Sequence, residues 1–231
     1  MASTWLDFWN GSHRIYVNDL HRTVHYRKIA ADIAALVPSP TATVVDWGCG
    51  DATESATVAA RAGQLILCDA ASATRARVAE RFAANPKIRV VAPEDLVRDY
   101  AGKIDLLVVN SVLQYLSESE LAGLLADARA LLAPAGSLVI ADVIPPHDDM
   151  VGDIRNLLGT AAANGFFAAA LVGLAATFFS PYRTLRSTVG LARYDESDFL
   201  ARLKAAGFTA ERLRPNLGFD QRRMAFRARV A

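Results

Sequence analysis

The nine-residue segment VVDWGCGDA, residues 44–52, decides the fold of this chain. A short apolar run ends at Asp46, Gly48 and Gly50 flank Cys49, and a helix-like pattern follows. Glycines at such a point let the backbone turn sharply and let a ligand approach the main chain without meeting a side chain. Because ligands of open parallel sheets bind at the carboxyl ends of the strands, this turn predicts a binding site.

The apolar run before this turn is the first of five similar runs. All five are rich in Val, Ile and Leu and lack polar alternation, as strands do when helices cover both faces of a sheet. Segments with apolar residues at helical spacing separate them, which predicts parallel strands with right-handed crossovers. The five predicted strands are TATVVDW (41–47), QLILCDA (64–70), KIRVVAP (87–93), KIDLLVVN (103–110) and GSLVIADVI (136–144).

Three more elements complete the prediction near the end of the chain. YDESDFLARLKAAGF (194–208) predicts a helix with an acidic start and Gly207 as its stop. FTAERLRP (208–215) and RRMAFRARVA (222–231) predict two last strands. The expected fold is therefore α/β, a Rossmann-like, mostly parallel sheet of seven strands with helices on both faces.

The residue types of the first turn discriminate between nucleotide-like ligands. A dinucleotide fingerprint needs a glycine three residues after Gly50, where this chain has Thr53. The phosphate-binding pattern G-x-x-x-x-G-K-[ST] is absent from the sequence. Asp46 stands just before the loop, and a carboxylate repels a diphosphate but attracts a cation. The turn therefore favours S-adenosylmethionine, which carries an ammonium and a sulfonium and no phosphate.

The segment D-W-G-C-G resembles motif I of the class I S-adenosylmethionine-dependent methyltransferases, written [DE]-x-G-x-G-x-G. Asp46, Gly48 and Gly50 match that motif, and Ala52 replaces its last glycine. The resemblance continues through residue 144 and implies the same fold, activity and cofactor. In the family, an acidic residue at the end of the second strand bonds both ribose hydroxyls, a role that falls here on Asp69.

The resemblance also implies which other residues contact the cofactor or the substrate. The stretch after the fourth strand lines the methyl-transfer site in the family, and adenine is bound by an acid or amide after the third strand. For adenine, the sequence leaves the choice between Glu94 and Asp95 open. The remaining positions implied to lie in the site are Cys49, Ala70, Asn110, Ser111, Val112 and Gln114.

The acceptor side carries weaker signals. Methyl transfer needs a base only when the acceptor must lose a proton early. His147 follows the fifth strand closely and is the preferred candidate base, and Asp142 inside that strand is a weaker one. His21 and His25 share a face of the helix predicted over residues 18–37, but no third ligand accompanies them, so no metal is expected. That helix is expected to cover the pocket, where His25, Tyr26 and Arg27 are either ligand contacts or surface positions.

An apolar insertion over residues 145–193 is expected to determine the substrate. Its core, LLGTAAANGFFAAALVGLAATFF (157–179), has no charged residue and the length to span a bilayer. A single crossing would separate the last helix and two strands from their sheet, so a spanning helix is rejected, and Asn164-Gly165 predicts a break into two helices. The alternatives are a homodimer interface, a peripheral membrane contact, or a lid over an apolar, lipid-like acceptor. Such a lid would be lined with Phe166, Phe167, Phe178 and Phe179.

Composition sets the remaining expectations. The 231 residues fit one domain, in which residues 1–40 form a helical cover, 41–144 the cofactor-binding core, 145–193 the insertion and 194–231 the last helix and strands. A net charge of +1 gives no field for nucleic acid. The C-terminal arginines are interpreted as the solvated face of the last strand.

Two rival functions remain open beside methyl transfer to a small molecule. One is a nicotinamide-dependent Rossmann-like enzyme, against which Thr53 and Asp46 argue. The other is a non-catalytic module that keeps the fold and binds a ligand or partner through the insertion. The N-terminus lacks the basic and apolar stretches of a signal peptide, and two cysteines supply no disulfide framework, so a cytoplasmic location is expected.

Overall fold

A computed structural model describes residues 16–177 and 191–231 of the chain. Within these ranges, seven strands form one sheet and eight α-helices surround it. The strands are β1 Thr43–Trp47, β2 Gln64–Cys68, β3 Ile88–Val91, β4 Ile104–Asn110, β5 Leu132–Val143, β6 Phe208–Leu213 and β7 Met224–Val230. The helices are α1 Asp19–Leu36, α2 Ala56–Arg61, α3 Ser72–Phe82, α4 Pro93–Tyr100, α5 Glu118–Leu131, α6 Met150–Ala163, α7 Phe167–Thr177 and α8 Glu196–Ala205.

The sheet has the strand order β3-β2-β1-β4-β5-β7-β6. The first five strands pair in parallel, and β7 runs antiparallel to both β5 and β6. The order reverses between β1 and β4, so the crevice for a ligand opens at the carboxyl ends of these two strands. This sheet confirms the predicted Rossmann-like fold class.

The two faces of the sheet pack against different helices. Because side chains alternate along a strand, Val44 of β1 faces α1, α2 and α3, whereas Val45 faces α4, α5 and α8. Both valines are fully buried. This double coverage explains why the strands lack polar alternation. Each large side chain buried in this way stabilises the fold by about 1.5–3 kcal/mol.

Short polar signals set the helix ends. Asn18 caps α1 by accepting a hydrogen bond from the backbone N–H of His21, with 2.8 Å between Oδ1 and N. Ser117 and Glu120 form a reciprocal capping box at the start of α5. These caps satisfy backbone N–H groups in the first turn of each helix.

The apolar insertion breaks where its sequence predicts. Helix α6 ends at Ala163 and α7 begins at Phe167, with Gly165 between them at φ +79°. Phe166 is buried with Ala161 and Ala170 in a small cluster that packs on Val24 of α1. None of the helices in the described ranges combines the length and the apolar character needed to cross a bilayer.

Candidate active site

A cleft of about 820 Å³ opens at the carboxyl ends of β1, β2, β4 and β5. Helix α1 covers one side of it, and α6 with the β6–β7 connection closes another. The structure brings ten of the predicted cofactor-binding residues together on its wall. They are Asp46, Gly48, Cys49, Gly50, Asp69, Ala70, Asn110, Ser111, Val112 and Gln114.

The glycine loop after β1 depends on having no side chains. Gly48 and Gly50 adopt φ +77° and +57°, the left-handed region that favours glycine. A Cβ at Gly48 would stand far inside van der Waals contact with Val112 Cγ2, and one at Gly50 would lie 2.8 Å from Tyr26 Oη. Ala52, which replaces the last glycine of the motif, still adopts φ +48°, at a cost of about 1–2 kcal/mol.

Asp69 organises the turns on both sides of the cleft floor. Its Oδ2 accepts a hydrogen bond from the Gly50 N–H (3.1 Å between N and O), and its Oδ1 accepts one from the Ala71 N–H (2.8 Å). Each carboxylate oxygen can accept a further hydrogen bond. Burial raises the pKa of Asp69, and the two backbone N–H groups counteract that rise. The carboxylate is therefore held rigidly while it can still bind hydroxyl groups of a ligand.

Asp46 lies at the end of β1 with no compensating partner. Burial, and secondarily the negative charge of Asp69, raise the pKa of Asp46 to about 7. No hydrogen bond to its carboxylate comes from the part of the chain that the structure describes. A cationic ligand would stabilise the ionised carboxylate, because its positive charge compensates the negative charge of Asp46.

A chain of polar side chains crosses from β4 to β5. The Asn110 Nδ2 group donates to Ser111 Oγ (3.1 Å), and the Ser111 hydroxyl donates to Asp142 Oδ2 (2.7 Å). Burial raises the pKa of Asp142 to about 6, although the Arg223 charge and the Ser111 hydrogen bond both lower it. Ser111 and Asp142 have positive φ values of 58° and 60°, which are rare for residues other than glycine.

Helix α1 presents aromatic and imidazole rings to the cleft. Tyr16, His21, His25 and Tyr26 all line it, with ring centroids 5.3–5.8 Å apart around Tyr16. The Tyr26 hydroxyl accepts a hydrogen bond from the Asp51 N–H at 2.9 Å, which attaches α1 to the glycine loop. Burial, with a smaller contribution from His21, lowers the pKa of His25 to about 4, so its ring is neutral at pH 7.

The wall formed by α6 is anchored by an ion-pair cluster. Arg223 Nη2 lies 2.9 Å from carboxylate oxygens of both Asp148 and Asp153, and Arg222 Nη1 lies 2.9 Å from Asp148. The Asp148 side chain is 1% exposed. The prediction that the C-terminal arginines form a solvated face is therefore wrong for Arg223, which is buried and lines the cleft.

Three predicted site residues do not line the cleft. Glu94 and Asp95 lie in the first turn of α4, and Asp95 pairs with Arg98 at 2.7 Å. Glu94 is exposed in the helix that begins with Pro93, and its charge acts on Cys68 at the end of β2. His147 is also exposed, because the Pro145-Pro146 turn leads the chain out of the cleft. The roles predicted for His147 as base and for Glu94 or Asp95 in adenine binding stay predictions, without support from the wall of this cleft.

The insertion contributes residues other than the predicted phenylalanines. Phe166 stacks on His21 with ring centroids 4.9 Å apart, Phe167 is exposed, and neither lines the cleft. Residues from α6 do line it, as do Tyr26 and His25 of α1, whereas Arg27 is exposed and does not. Phe178 and Phe179 lie outside the described residues. The residues of α6 that line the cleft are Asp153, Asn156, Leu157 and Thr160.

Comparison with known proteins gives the class to which this site belongs. Residues 45–138 match a family model described as a methyltransferase domain. A trans-aconitate 2-methyltransferase of Deinococcus radiodurans is 32% identical over 140 residues, which cover 59% of this chain and 50% of that protein. The chain thus spans about half the length of the curated relative that it matches.

Solved structures of methyltransferases share the fold. The magnesium protoporphyrin IX methyltransferase of Synechocystis PCC 6803, solved with bound S-adenosylhomocysteine, is 17% identical with a TM-score of 0.59, and the match covers 97% of this chain and 92% of that one. The DhpI complex with S-adenosylhomocysteine is 12% identical with a TM-score of 0.58 and coverages of 98% and 95%. At such identities the likeness concerns the fold.

Residues 45–138 therefore match a methyltransferase domain, and the chain shares the fold of solved S-adenosylmethionine-dependent methyltransferases. These matches agree with the class predicted from Asp46, Gly48 and Gly50 and with S-adenosylmethionine as the predicted methyl donor.

Proposed function

We propose that this chain transfers the methyl group of S-adenosylmethionine to a small, apolar acceptor bound in the same cleft. The observation that supports this proposal is the continuity of the cleft, which joins a polar end at Asp46 and Asp69 to an end with mostly apolar walls. When bound, the cofactor supplies a methyl group activated by its sulfonium. The protein contributes chiefly by holding the acceptor in line with that methyl group.

The residues of the polar end fit the charges and hydroxyls of this cofactor. The Asp46 carboxylate is half-buried on the cleft wall without a hydrogen-bond partner among the described residues, so an ammonium group would compensate its charge. The free acceptor positions of Asp69 suit two adjacent ribose hydroxyls. Gly48 and Gly50 line the cleft without side chains, which allows a ligand to approach the backbone.

The other end of the cleft suits an acceptor with apolar surface. Pockets for small molecules are mostly apolar, with a few polar groups that fix orientation. Ser111, Asp142 and Asn156 are among the polar groups here, beside further carboxylates and Arg223. The apolar side chains on the wall are those of Val112, Leu116, Leu124, Ile144, Leu157, Leu191, Leu217 and Phe219.

A carboxylate acceptor is the second candidate, because the relative from Deinococcus radiodurans is a trans-aconitate methyltransferase. The charges of the cleft argue against it. Eight carboxylic side chains and one arginine line the cleft among the described residues. The arginine, Arg223, already pairs with Asp148 and Asp153. An anionic acceptor would meet uncompensated negative charge, which disfavours its binding.

The first experiment is a calorimetric titration of the purified chain with S-adenosylhomocysteine, with NADH as the control. Micromolar binding of the former alone supports the proposal and argues against a nicotinamide-dependent enzyme. Turnover is then measured as release of S-adenosylhomocysteine with 1-octanol, octylamine and trans-aconitate as acceptors. Binding without turnover on any acceptor would favour the non-catalytic module, and turnover on trans-aconitate alone would replace the apolar acceptor by a carboxylate.

Assembly and cell location remain predictions. Helix α7 exposes Phe167, Leu171 and Val172, so a homodimer interface or a peripheral membrane contact through this helix is still proposed. The division into cover, core, insertion and C-terminal elements within one domain is also proposed, as is the absence of nucleic acid from its partners. Light scattering of the purified chain, with and without lipid vesicles, tests the two uses of α7.

A further inference from the structure

Two neighbouring strand ends hold an unusual pair of residues beside the cleft. Asn110 of β4 pairs with Ala141 of β5, so the next residues along the chain, Ser111 and Asp142, stand side by side. Both have positive φ values, and neither is glycine. Such conformations are unfavourable and persist where the surroundings impose them, often at functional sites.

The hydrogen bonds between these residues run in one direction. Asn110 donates to the Ser111 hydroxyl, which uses its only proton to donate to Asp142 Oδ2. The backbone N–H of Asp142 donates to Asn216 Oδ1 (3.1 Å), and the Asn216 Nδ2 group donates to the Asp220 carbonyl oxygen (2.9 Å). The Asp142 side chain is thus the final hydrogen-bond acceptor in this series, and its backbone is held by Asn216.

Two side chains beside this pair contain acceptor atoms without partners. Asn110 Oδ1 and Gln114 Oε1 are shielded from solvent and accept no hydrogen bond from the described residues, and both side chains line the cleft. A buried acceptor without a hydrogen bond is unfavourable. A ligand donor that gains access to either atom would therefore be bound favourably.

We propose that the methyl acceptor presents an O–H or N–H group to Asp142, and that the Asp142 carboxylate takes the proton of that group. The acceptor class is accordingly an apolar alcohol, phenol or amine. The O–H or N–H bond breaks, its proton goes to Asp142, and the electron pair forms the bond to the methyl carbon as the sulfur–methyl bond breaks. The inference rests on the proposed function, because it assigns the acceptor end of the same cleft.

The charges around Asp142 suit this role. Ser111 donates to Asp142 from the end of β4, Arg223 faces it from beside β7, and Asp153 of α6 and Asp220 of the β6–β7 connection act on it from the other side. Burial raises the pKa of Asp142 to about 6, so the carboxylate is mostly ionised at pH 7 and accepts a proton more readily than an ordinary aspartate. Acceptor binding and turnover should therefore rise with pH through about 6.

The test uses probes that share an apolar tail and differ in the head group. Octylamine and octanoate are titrated into the chain saturated with S-adenosylhomocysteine. We expect wild type to bind octylamine at least about tenfold more tightly than octanoate, and Asp142→Asn to lose about tenfold in octylamine affinity, the scale of a hydrogen bond to a charged group. Asp127→Asn, which removes another carboxylate from the same cleft, should keep the octylamine affinity.

Two further measurements separate proton acceptance from a structural role. The octylamine affinity of wild type should show an inflection near pH 6 that Asp142→Asn lacks. Ser111→Gly, which tolerates the positive φ, should move this inflection to higher pH, because the Ser111 hydrogen bond lowers the pKa of Asp142. Thermal melting of each variant establishes that it is folded.

Several outcomes overturn the inference. They are octanoate binding as tightly as octylamine, an unchanged octylamine affinity in folded Asp142→Asn, or an equal loss in Asp127→Asn. Titration with S-adenosylhomocysteine alone distinguishes this failure from that of the proposed function. If wild type binds S-adenosylhomocysteine but the affinity for the probes does not depend on Asp142, only the inference fails. If wild type does not bind S-adenosylhomocysteine, the proposed function itself fails.

Discussion

Asp46 should destabilise the free protein at neutral pH, and Asp46→Asn should reveal by how much. An unfolded aspartate releases its proton near pH 3.8, whereas burial keeps Asp46 protonated in the fold up to about pH 7. Unfolding therefore releases a proton between these values, and the free energy of unfolding falls as pH rises through that window. Each pH unit is worth at most about 1.4 kcal/mol, so the three units correspond to about 4 kcal/mol.

Asparagine at position 46 keeps the shape of the side chain and has no charge to lose. The free energy of unfolding of the variant should exceed that of wild type by about 2–4 kcal/mol at pH 8 and by less than about 1 kcal/mol at pH 4. The range at pH 8 extends down to about 2 kcal/mol because water in the cleft partly solvates the Asp46 carboxylate. Urea denaturation at pH 4, 6 and 8 measures both values. Asp198→Asn, which removes an exposed carboxylate on α8, serves as the control with the same change in net charge.

The same variant should bind S-adenosylhomocysteine more weakly, by about tenfold or more, because the ligand's ammonium loses its charged partner. Greater stability with lower affinity would show that Asp46 is kept for binding and not for folding. A difference in stability that stays the same at pH 4 and pH 8 would refute the reasoning, since the effect would then not arise from the titration of this carboxylate.

Three more substitutions test the remaining parts of the site. Asp69→Ala should weaken S-adenosylhomocysteine binding by about 1.5–3 kcal/mol in calorimetry, and an unchanged affinity in a folded variant would remove Asp69 from the site. Gly48→Ala should abolish measurable binding of S-adenosylhomocysteine, because the added Cβ clashes with Val112. Adding Val112→Ala to this variant should recover part of the affinity. An equal loss of affinity in the single and the double variant would instead assign the defect to the positive φ of the backbone. Arg223→Met should lower the free energy of unfolding, measured in urea, by about 3–5 kcal/mol, because it leaves the buried Asp148 carboxylate with less positive charge beside it. A loss below about 1 kcal/mol would contradict the importance of the Arg223–Asp148 pair.

The sequence alone predicts the fold and the cofactor end of the cleft because both follow from local patterns. The strands are apolar runs of a few residues, and the residues predicted for the cofactor end lie in or directly after the last residues of β1, β2 or β4. Asp46, Gly50 and Asp69 could therefore be assigned before any coordinates. The parallel order of the strands then places their carboxyl ends side by side.

The acceptor end could not be assigned in the same way, because its residues come from distant parts of the chain. Arg223 meets Asp153 across 70 positions, and Asp142 is held by Asn216 across 74. A run such as LVIADVI made Asp142 only the weaker candidate base, because it gives no sign that Asp142 adopts a positive φ within β5 and lines the cleft. Conversely, His147 follows the strand closely in sequence, but two prolines direct it into solvent.

The hydrogen bonds that attach helix α1 have a consequence for the order in which the chain folds during synthesis. Asp32 of this helix accepts a hydrogen bond from the Gly218 N–H at 2.8 Å, across 186 positions, while Tyr26 accepts one from Asp51 near the glycine loop. During synthesis, the N-terminal helix therefore emerges long before the segment that anchors it. The glycine loop can form early, but a nascent chain should acquire the roof over its cofactor site only after β6 and the residues around Gly218 have left the ribosome.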